Sequence, residues 1–544
     1  MTIAVDRRSL IHAGLFGIGA LGLPGGAAAM LAARGFTHDV ASGEPSQNSV
    51  LLWTRYVPTK GDSSRLVWEV SPTADFARIV SSGEAVAEGA RDHTVKAIAG
   101  GLAPGRWYHY RFRDRHGLAS PVGRTRTLPD GPVDRFRLAF FSCSNLGFGW
   151  FNAYAHAAAR RDLDLVIHVG DYLYEHRRGD YPVPAEAVRN AAIRPLGEIV
   201  HLADYRLRYA AYRSDPDLQR LHRMFPMVAM WDDHESADDS WRDGAANHQP
   251  ESEGPWPLRK AAAIRAYREW MPVGDEPWAS YAIGDLATLF RPETRLIGRS
   301  QQLDRGAALR GSGDIAAALA AFRDGPWQDS ARSLMGFEQE RWLGDGLRRS
   351  VRRGARWQVL AQQVVMGPTA LPSQAADWIG AGASAGTRAA TAIDVAASKA
   401  GLPLYLDTWD GYPAARRRLL EAALGADANL VVLSGDSHNA WGFDLDAGGV
   451  PAGVEFAGHS VTSPGFESER PRVPSADRVR AFQERNPQLK WAELSRRGYA
   501  TLELTPTRAT GEWLFLQTIR SRSTRLAATH RMSTAFGARR FTAL

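Results

Sequence analysis

The sequence predicts an α/β (α+β) protein in which a small all-β domain precedes a larger domain of strands and helices. The chain has 544 residues, which is too long for one typical core and points to about two domains. Hydrophobic residues make up 44% of the chain and charged residues 23%, as in globular proteins. The spacing of the apolar residues changes near position 130, from alternation with polar residues to short runs between amphipathic stretches. This change marks the boundary between the two predicted domains.

The charge of the chain favours anionic small molecules over nucleic acids as partners. The formal net charge is +7 and the isoelectric point is about 9.5. A mildly basic surface attracts phosphorylated substrates. The lysine and arginine residues are scattered and form no basic tract, so nucleic-acid binding is not predicted.

The first 35 residues have the pattern of an export signal. Arg7 and Arg8 precede a weakly apolar run at 11–23, and small residues follow at 27–29. The run is too short to cross a bilayer as a stable helix, and its small-residue end indicates cleavage. Paired arginines are typical of a twin-arginine signal, and an ordinary secretory signal is the alternative. We therefore expect a periplasmic or secreted protein that uses the twin-arginine export machinery and has no stable transmembrane span.

Residues 36–130 are predicted to form the all-β domain. The clearest strands lie at 49–56, 65–70 and 107–113, where apolar and aromatic residues largely alternate with polar ones. Helical periodicity is absent from this stretch, so we expect a β-sandwich of the fibronectin or immunoglobulin kind. Residues 129–132, with two prolines and one glycine, have the composition of a linker.

Residues 135–525 are predicted to form the larger domain, and residues 526–544 a C-terminal tail. Five apolar runs have the length of strands buried in a layered sheet: 136–141, 163–169, 227–230, 357–365 and 430–433. Amphipathic stretches between them indicate helices on the outside, at 204–212, 258–270 and 337–350. Two Ala/Gly-rich regions, at 307–321 and 375–397, are predicted to be insertions that form lids or surface loops.

Potential metal ligands follow four of these apolar runs. The clusters lie at 142–145, 168–175, 231–235 and 434–441. They contain the following candidates: Cys143, Asp171, Tyr174, Asp233, His234, Asp436 and His438. A single Asp or His at a strand end is usually a cap or a turn residue, but four such clusters in series are an improbable coincidence. We expect them to converge at one edge of the sheet.

Cys143 is the only cysteine of the chain. One cysteine cannot form an internal disulfide, which exported proteins otherwise tend to use. The alternatives are a buried inert residue, a reactive thiol and a metal ligand. Its position in the first cluster favours the metal ligand.

The motifs of these clusters resemble those of the calcineurin-like metallophosphoesterase superfamily, and specifically of its alkaline phosphatase D family. Gly170-Asp171, followed by Tyr174, and Asp233-His234-Glu235 carry the superfamily resemblance. Similarity to the family extends over nearly the whole chain beyond the export signal, with further motifs at 36–55, 204–206, 339–343, 410–413 and 460–465. The resemblance implies a four-layer metallophosphoesterase sandwich for the larger domain and hydrolysis of phosphoesters by two metal ions.

The first metal site is expected to hold iron. Asp171 is the best bridging ligand, because one carboxylate reaches both metals. A tyrosinate with a cysteinate favours a hard, oxidising ion, and the resemblance implies ferric iron (Fe3+) bound by Cys143, Tyr174 and His438.

The second metal site is expected to hold calcium. Asp233 stands where the superfamily usually has asparagine, and Asp436 replaces a more usual histidine. Their carboxylate oxygens suit calcium (Ca2+), whose ligands are oxygens, better than zinc.

His234 is the predicted catalytic residue. The resemblance implies that it faces the substrate, where it donates a proton to the leaving group or stabilises charge, and a core histidine is the alternative. His168 and Glu175 are candidates for orienting the ligands. For His459, which departs from the family pattern, a structural role is favoured over a role in specificity.

The predicted function is that of an exported alkaline phosphatase, which hydrolyses phosphate monoesters or diesters by attack of metal-activated water. Its substrate is a phosphorylated small molecule or lipid, so a phosphodiesterase or phospholipase D-type enzyme of the same fold is the first alternative. A purple acid phosphatase is less favoured, because members of that family are expected to have aspartate at the position of Cys143 and asparagine at the position of Asp233. A non-catalytic protein that binds envelope polymers would be expected to lack some of the metal ligands, and none of the candidate ligands is missing from this sequence.

Overall fold

The fold, seen in a computed structural model, is described for residues 33–379, 383–469 and 473–543. All but the last three positions of the predicted export signal lie outside these residues. Within the described part of the chain, no helix combines the length and the hydrophobicity that crossing a membrane requires.

The described residues form strands and helices whose bounds are as follows. The strands are β1 Gly35–Gly43, β2 Val50–Val57, β3 Ser63–Ser71, β4 Ser81–Glu88, β5 Thr94–Ala99, β6 Trp107–Asp114, β7 Gly123–Arg126, β8 Phe136–Phe141, β9 Leu165–His168, β10 Pro226–Ala229, β11 Ala279–Ile283, β12 Ala287–Arg291, β13 Trp357–Ala361, β14 Leu430–Ser434, β15 Ala440–Ala447, β16 Val450–Ala457, β17 Leu489–Glu493, β18 Gly498–Leu504, β19 Arg508–Leu516 and β20 Leu526–Ala535. The α-helices are α1 Asn152–Ala158, α2 Leu202–Arg213, α3 Pro216–Met224, α4 Pro250–Glu253, α5 Trp256–Trp270, α6 Arg305–Leu309, α7 Ile315–Asp324, α8 Phe337–Arg352, α9 Ala375–Trp378, α10 Ala385–Lys399, α11 Pro413–Gly425, α12 Phe466–Glu469 and α13 Ser475–Arg485.

Local sequence explains why these elements form where they do. In β6 the buried residues Tyr108, Tyr110 and Phe112 alternate with half-buried ones, as the two faces of a strand require. Helix α3 begins with proline at its first turn, and the carboxylate of Asp215 accepts hydrogen bonds from the backbone N–H groups of Asp217 and Leu218. This capping of the helix N-terminus satisfies backbone N–H groups that have no hydrogen-bond partner inside the helix.

Two large sheets form the body of the molecule. The first has the strand order β20-β19-β18-β8-β9-β10-β1-β2-β5, and the second has the order β11-β12-β13-β14-β16-β15-β17. Strands β8, β9 and β10 are neighbours and run parallel. In the second sheet, β12, β13, β14 and β16 run parallel. The carboxyl ends of parallel neighbours therefore lie at one edge of each sheet.

The hydrophobic core has one part between these sheets and one on the outer face of each. Leu138, Ile167 and Val228 of the first sheet belong to the same buried cluster as Val359 and Val431 of the second. A second cluster joins the first sheet to the side chains of α1, α2, α3 and α5. A third joins the second sheet to α8 and α11. The prediction of a mixed α/β fold with helices outside the sheets is thus confirmed.

The N-terminal strands form two facing sheets, but one of them continues into the body of the molecule. Strand β1 pairs in parallel with β10, with Ser42 opposite Pro226 and Gly43 opposite Met227. Strands β4, β3, β6 and β7 form a separate sheet across the core cluster that includes Leu52. We expected a sandwich closed within 36–130. Instead, β1 covers the edge of β10, which would otherwise leave backbone N–H and C=O groups unpaired.

The two Ala/Gly-rich insertions and the C-terminal segment are more regular than expected. The insertions contain the helices α6, α7, α9 and α10 and are not only loops. Helices α6, α7 and α10 share a small core of their own, which includes Leu309, Leu319, Phe322, Ala397 and Leu402. We call residues 303–324 and 385–406 the cap. The segment beyond residue 525, expected to be a tail, forms β20 at the edge of the first sheet, paired with β19.

Candidate active site

The candidate residues come together where β8, β9, β10 and β14 end. Three of these strands are neighbours in the first sheet, but β14 belongs to the second. The expectation of a single sheet edge was therefore wrong, because the site lies between the edges of two facing sheets. The two edges touch: a Cβ atom added to Gly435 after β14 would lie 2.5 Å from the Cβ atom of Ser142 after β8.

The backbone at the strand ends is strained. Cys143, Asp171, Asp436 and His438 have φ angles of 58°, 54°, 61° and 58°, in the left-handed region that non-glycine residues rarely adopt. Such a conformation costs about 1–3 kcal/mol per residue and is found mainly at functional sites. It turns these four side chains from the strands towards one another.

Gly170 keeps two of the strand-end loops in contact. Its φ angle is 114°, and an added Cβ atom would lie 2.4 Å from the Cβ atom of Asp232 and 2.9 Å from its backbone nitrogen. A side chain at this position would therefore push the Asp171 loop away from the loop after β10.

Four of the predicted residues form the first group of candidate ligands. The ligand atoms of Cys143, Asp171 and His438 lie within 4.8 Å of one another. The Tyr174 hydroxyl lies 3.1 Å from Asp171 Oδ2 and 3.2 Å from His438 Nε2. His438 donates its Nδ1 proton to the carbonyl oxygen of Pro464 at 2.8 Å, which leaves the lone pair of Nε2 directed at the group.

Carboxylates form the second group. Asp232, Asp233 and Asp436 have oxygens within 4.8 Å of one another, and the same holds for the ligand atoms of Asp171, Asp233 and His234. Asp171 thus belongs to the first group and also lies beside Asp233 of the second, as its predicted bridging position requires. Asp232 lies in the 231–235 cluster but was not among the predicted ligands, although two adjacent aspartates were a visible signal.

Arg295 is a component of the site that sequence reasoning missed. It is fully buried, and its Nε donates to Asp232 Oδ1 at 2.5 Å, while its Nη2 lies 3.7 Å from Asp233 and 3.6 Å from Asp436. On its other side, Nη1 lies 2.7 Å from Asp407 Oδ2. A buried arginine among four carboxylates compensates part of their charge and fixes their orientation.

Buried charge dominates the electrostatics of the site. Burial raises the pKa of Asp171 and of Asp436 well above the usual value, and neighbouring carboxylates add to this effect. Burial, followed by the charge of Asp171, raises the pKa of the Cys143 thiol. Asp171 Oδ1 and Asp232 Oδ2 are buried without a hydrogen-bond partner. Cations bound among these oxygens would satisfy them and reverse the pKa shifts, so the donor set fits metal ions.

His234 lies beside both groups and is held by Glu175. Its Nδ1–H donates to Glu175 Oε2 at 2.7 Å, and Glu175 also accepts hydrogen bonds from the backbone N–H of Asp238 and from Asn247, each at 2.8 Å. Although burial disfavours the charged imidazolium, the carboxylates of Glu175, Asp171 and Asp233 raise the pKa of His234 well above its usual value. Nε2 is thereby left as the atom that can give a proton to a bound molecule.

The remaining histidines of interest support the site from a distance. His168 Nε2 lies 2.9 Å from the Tyr154 hydroxyl and 3.4 Å from the Ser144 hydroxyl, and burial lowers its pKa to about 3. His459 is buried against Phe515, and its Nε2 donates to the carbonyl oxygen of Leu514 at 3.3 Å. It has the structural setting that the sequence favoured and lies outside both candidate ligand groups.

A cleft of about 660 Å³ opens beside the candidate ligands Asp436 and His438. One side consists of the loops after β14 and β16, including Asn439, Pro464 and Gly465. The other consists of the cap. The cleft is several times larger than a phosphate group, so it has room for the organic part of a phosphoester.

The chain is similar to known phosphatases over most of its length. Residues 138–513 match the family model described as PhoD-like phosphatase, and residues 24–129 match the model described as PhoD-like phosphatase, N-terminal domain. Alkaline phosphatase D of Bacillus subtilis (strain 168) is 34% identical over 499 residues, which cover 87% of this chain and 76% of that protein. A solved structure of PhoD has a TM-score of 0.75 and 29% identity, covering 94% of this chain and 92% of the other.

Proposed function

This chain belongs to the PhoD-like phosphatase family, and we propose that it hydrolyses phosphate monoesters and diesters at the strand-end site described above. Membership of the family makes it a phosphoester hydrolase. The observation that carries the finer proposal is that Asp171 has its ligand atom within 4.8 Å of those of Cys143 and His438 in one group and of those of Asp233 and His234 in another. Two groups with one shared carboxylate are the arrangement that a two-metal hydrolase needs.

The first ion would be held by Cys143, Asp171, Tyr174 and His438, and the second by Asp171, Asp233 and Asp436. Bound metal ions supply a nucleophile near neutral pH, by lowering the pKa of water, and neutralise charge on the phosphoryl oxygens. We propose iron at the first position, because thiolate, phenolate and imidazole donors suit a transition metal. Calcium is proposed at the second, where the donors are carboxylate oxygens.

The residues of the chain itself prepare the site for these ions. Arg295 holds Asp232 at 2.5 Å and so fixes the loop that carries Asp233 and His234. Glu235 accepts hydrogen bonds from the backbone N–H groups of Asp171 at 3.0 Å and Asp232 at 2.8 Å, which ties the loops after β9 and β10 together. These contacts support a site whose ligands are positioned before any ion or substrate binds.

His234 is proposed to protonate the leaving group. Its Nδ1 is committed to Glu175, and although burial lowers the pKa of the imidazole, the Glu175 carboxylate raises it and so favours the protonated form. A protonated Nε2 beside a phosphoester oxygen stabilises the negative charge that develops when the ester bond breaks.

The size of the cleft supports diesters as well as monoesters. A monoester needs room for one organic group, and a diester needs room for a second one beside the phosphoryl group. The 660 Å³ cleft lies within the range of pockets that bind drug-sized molecules, so a phosphodiesterase or phospholipase D-type activity is the second candidate.

The architecture and the export of the protein belong to the same proposal. Helices cover the outer faces of both large sheets, which supports the four-layer metallophosphoesterase sandwich proposed for residues 135–525. Residues 36–130 are proposed as the N-terminal domain, and the paired arginines at 7 and 8 support export through the twin-arginine machinery.

Hydrolysis of p-nitrophenyl phosphate and of bis(p-nitrophenyl) phosphate tests the proposed function. We expect protein reconstituted with iron and calcium to hydrolyse at least one of these esters, and chelation to abolish the activity. The ratio of kcat/KM values for the two esters ranks monoesterase against diesterase activity. Protein that holds both metals, as measured by inductively coupled plasma mass spectrometry, and hydrolyses neither ester would contradict the proposal.

A further inference from the structure

The cap lines the cleft that opens beside two of the candidate ligands, Asp436 and His438. Both parts of the cap contribute to the lining: Leu303 and Arg305 come from residues 303–324, and Ala390, Ile393 and Tyr405 come from residues 385–406. The same cleft is lined by Asp436 and His438. A phosphoester with its phosphoryl group at the strand ends therefore extends its organic part towards the cap.

The two parts of the cap behave as one unit because they are joined in two ways. The core cluster that includes Leu319 and Ala397 unites α7 with α10. The guanidinium of Arg305 forms an ion pair with Asp394 and donates to the carbonyl oxygen of Pro403 at 3.0 Å. The cap is thus a small packed body with a defined inner wall.

The inner wall of the cleft is apolar on the side of the cap. Its apolar residues are Leu303, Ile393, Leu404, Tyr405 and Leu406. Tyr405 is 39% exposed, and its ring lies 6.3 Å from that of Phe466 and nearly parallel to it. A second ring or an alkyl chain that entered the cleft would cover this exposed surface.

The charged residues of the cleft are mostly acidic. Five aspartates line it, at 239, 304, 394, 407 and 436. Arg305 is the one arginine among the described residues that line the cleft, and it already forms an ion pair with Asp394. Four of these aspartates are paired with arginines, but Arg295, Arg299 and Arg310 do not line the cleft. An anionic organic group that enters the cleft would therefore meet the carboxylates before it meets their partners.

We propose that the cap forms the subsite for the organic group of the substrate and that it selects apolar esters against esters with an additional negative charge. This inference rests on the proposed function, because it assigns a substrate class to the same site. Tyr405 and Ile393 are the specificity-determining residues, and the aspartates of the cleft repel anionic groups.

A matched pair of substrates tests the selection. The pair is 4-ethylphenyl phosphate and the phosphate monoester of 3-(4-hydroxyphenyl)propanoate, whose phenols have similar acidity and whose tails differ mainly in charge. We expect kcat/KM to favour the uncharged ester about 10-fold, the size of effect that a single contact in an apolar pocket gives.

Two pairs of variants locate the effect in the cap. Ala390 is an exposed residue of α10 that lines the cleft, and Ala389 is its exposed neighbour that does not. We expect Ala390→Lys to reduce the preference for the uncharged ester about threefold through attraction of the anionic tail, and Ala389→Lys to leave it unchanged. Tyr405→Ala is expected to lower kcat/KM for 4-ethylphenyl phosphate about 10-fold, while Tyr405→Phe, which keeps the ring, retains it.

The outcomes separate this inference from the proposed function. Equal kcat/KM values for the two esters, with no change in Ala390→Lys or Tyr405→Ala, would overturn the role of the cap and leave the phosphoesterase intact. Absence of hydrolysis of these esters and of both p-nitrophenyl esters, in protein that holds both metals, would instead contradict the proposed function itself.

Discussion

The strand-end site and the cap face the same cleft, but they are built from opposite kinds of interaction. The site consists of buried charges on loops that follow four strands of the two large sheets, and its backbone is strained at several ligands. The cap consists of short helices around a few apolar side chains and is fastened across its two halves by one ion pair. Rigid strands hold reacting groups to within fractions of an ångström, whereas an insertion can change without disturbing them. The difference supports the proposal that chemistry and selection of substrate are carried by separate parts of the molecule.

Removal of the shared carboxylate should have the largest effect and should be independent of substrate. We expect Asp171→Ala to lower kcat/KM at least about 1,000-fold, which corresponds to about 4 kcal/mol of transition-state stabilisation. Both p-nitrophenyl esters should be affected equally, and metal content should fall. Asp180→Ala, at an exposed residue nearby, serves as the control and should stay within about twofold of wild type, as surface substitutions usually do. A loss confined to one ester would show that the site and the cap are not separable.

His234→Asn should have the next largest effect, and that effect should depend on the leaving group. We expect about a 100-fold loss for an alkyl phosphate, which needs a proton, and a much smaller loss for p-nitrophenyl phosphate. Because the Glu175 carboxylate raises the pKa of His234 against the effect of burial, kcat/KM for the alkyl ester should fall at a higher pH than the loss of a proton from an ordinary histidine would give. The pH profile of the variant should lack this decline. Equal losses for both leaving groups would assign His234 to binding instead of proton transfer.

Glu175→Gln should weaken catalysis through His234 alone. We expect a loss of about 10-fold on the alkyl ester, since partners that orient a functional histidine contribute about 10–100-fold. The double variant with His234→Asn should be no worse than His234→Asn itself. An additive loss in kcat/KM would mean that Glu175 also acts on another part of the site.

A change in the core of the cap should have the smallest effect on the reaction. Leu319 is 1% exposed, and Leu319→Ala should destabilise the cap by about 2–5 kcal/mol, as measured by amide hydrogen exchange in α7 and α10. Hydrolysis of methyl phosphate should change by less than about twofold, because its organic group is too small to reach the apolar wall of the cap. Loss of activity on this small ester would contradict the separation of the two regions.

Local patterns in the sequence predicted the elements that carry the chemistry. The apolar run at 136–141 is strand β8, and the amphipathic stretch at 337–350 lies within helix α8. The candidate ligands were recognisable because each follows such a run directly in the chain. A strand and the turn after it are determined by neighbouring residues, so a single sequence contains the information.

Contacts between distant parts of the chain could not be predicted in the same way. Arg295 lies 63 residues from Asp232 and 112 residues from Asp407, and no periodicity connects them. The common core of the cap brings together two insertions that each lack an apolar pattern of their own. The pairing of β1 with β10 was missed because the alternation in β1 gives the orientation of its side chains but not its neighbour.

The pairing of β1 with β10 also constrains how the protein can be made. The first strand leaves the ribosome about 180 residues before its partner, since Ser42 pairs with Pro226. At about 5–20 residues per second, this interval lasts roughly 10–40 s. During that time the hairpin of β1 and β2 has an open edge, which is a surface that other chains can join and that chaperones cover. Strand β1 thus lacks its second partner until β10 has been made, and a fragment that ends near residue 130 would retain that open edge permanently.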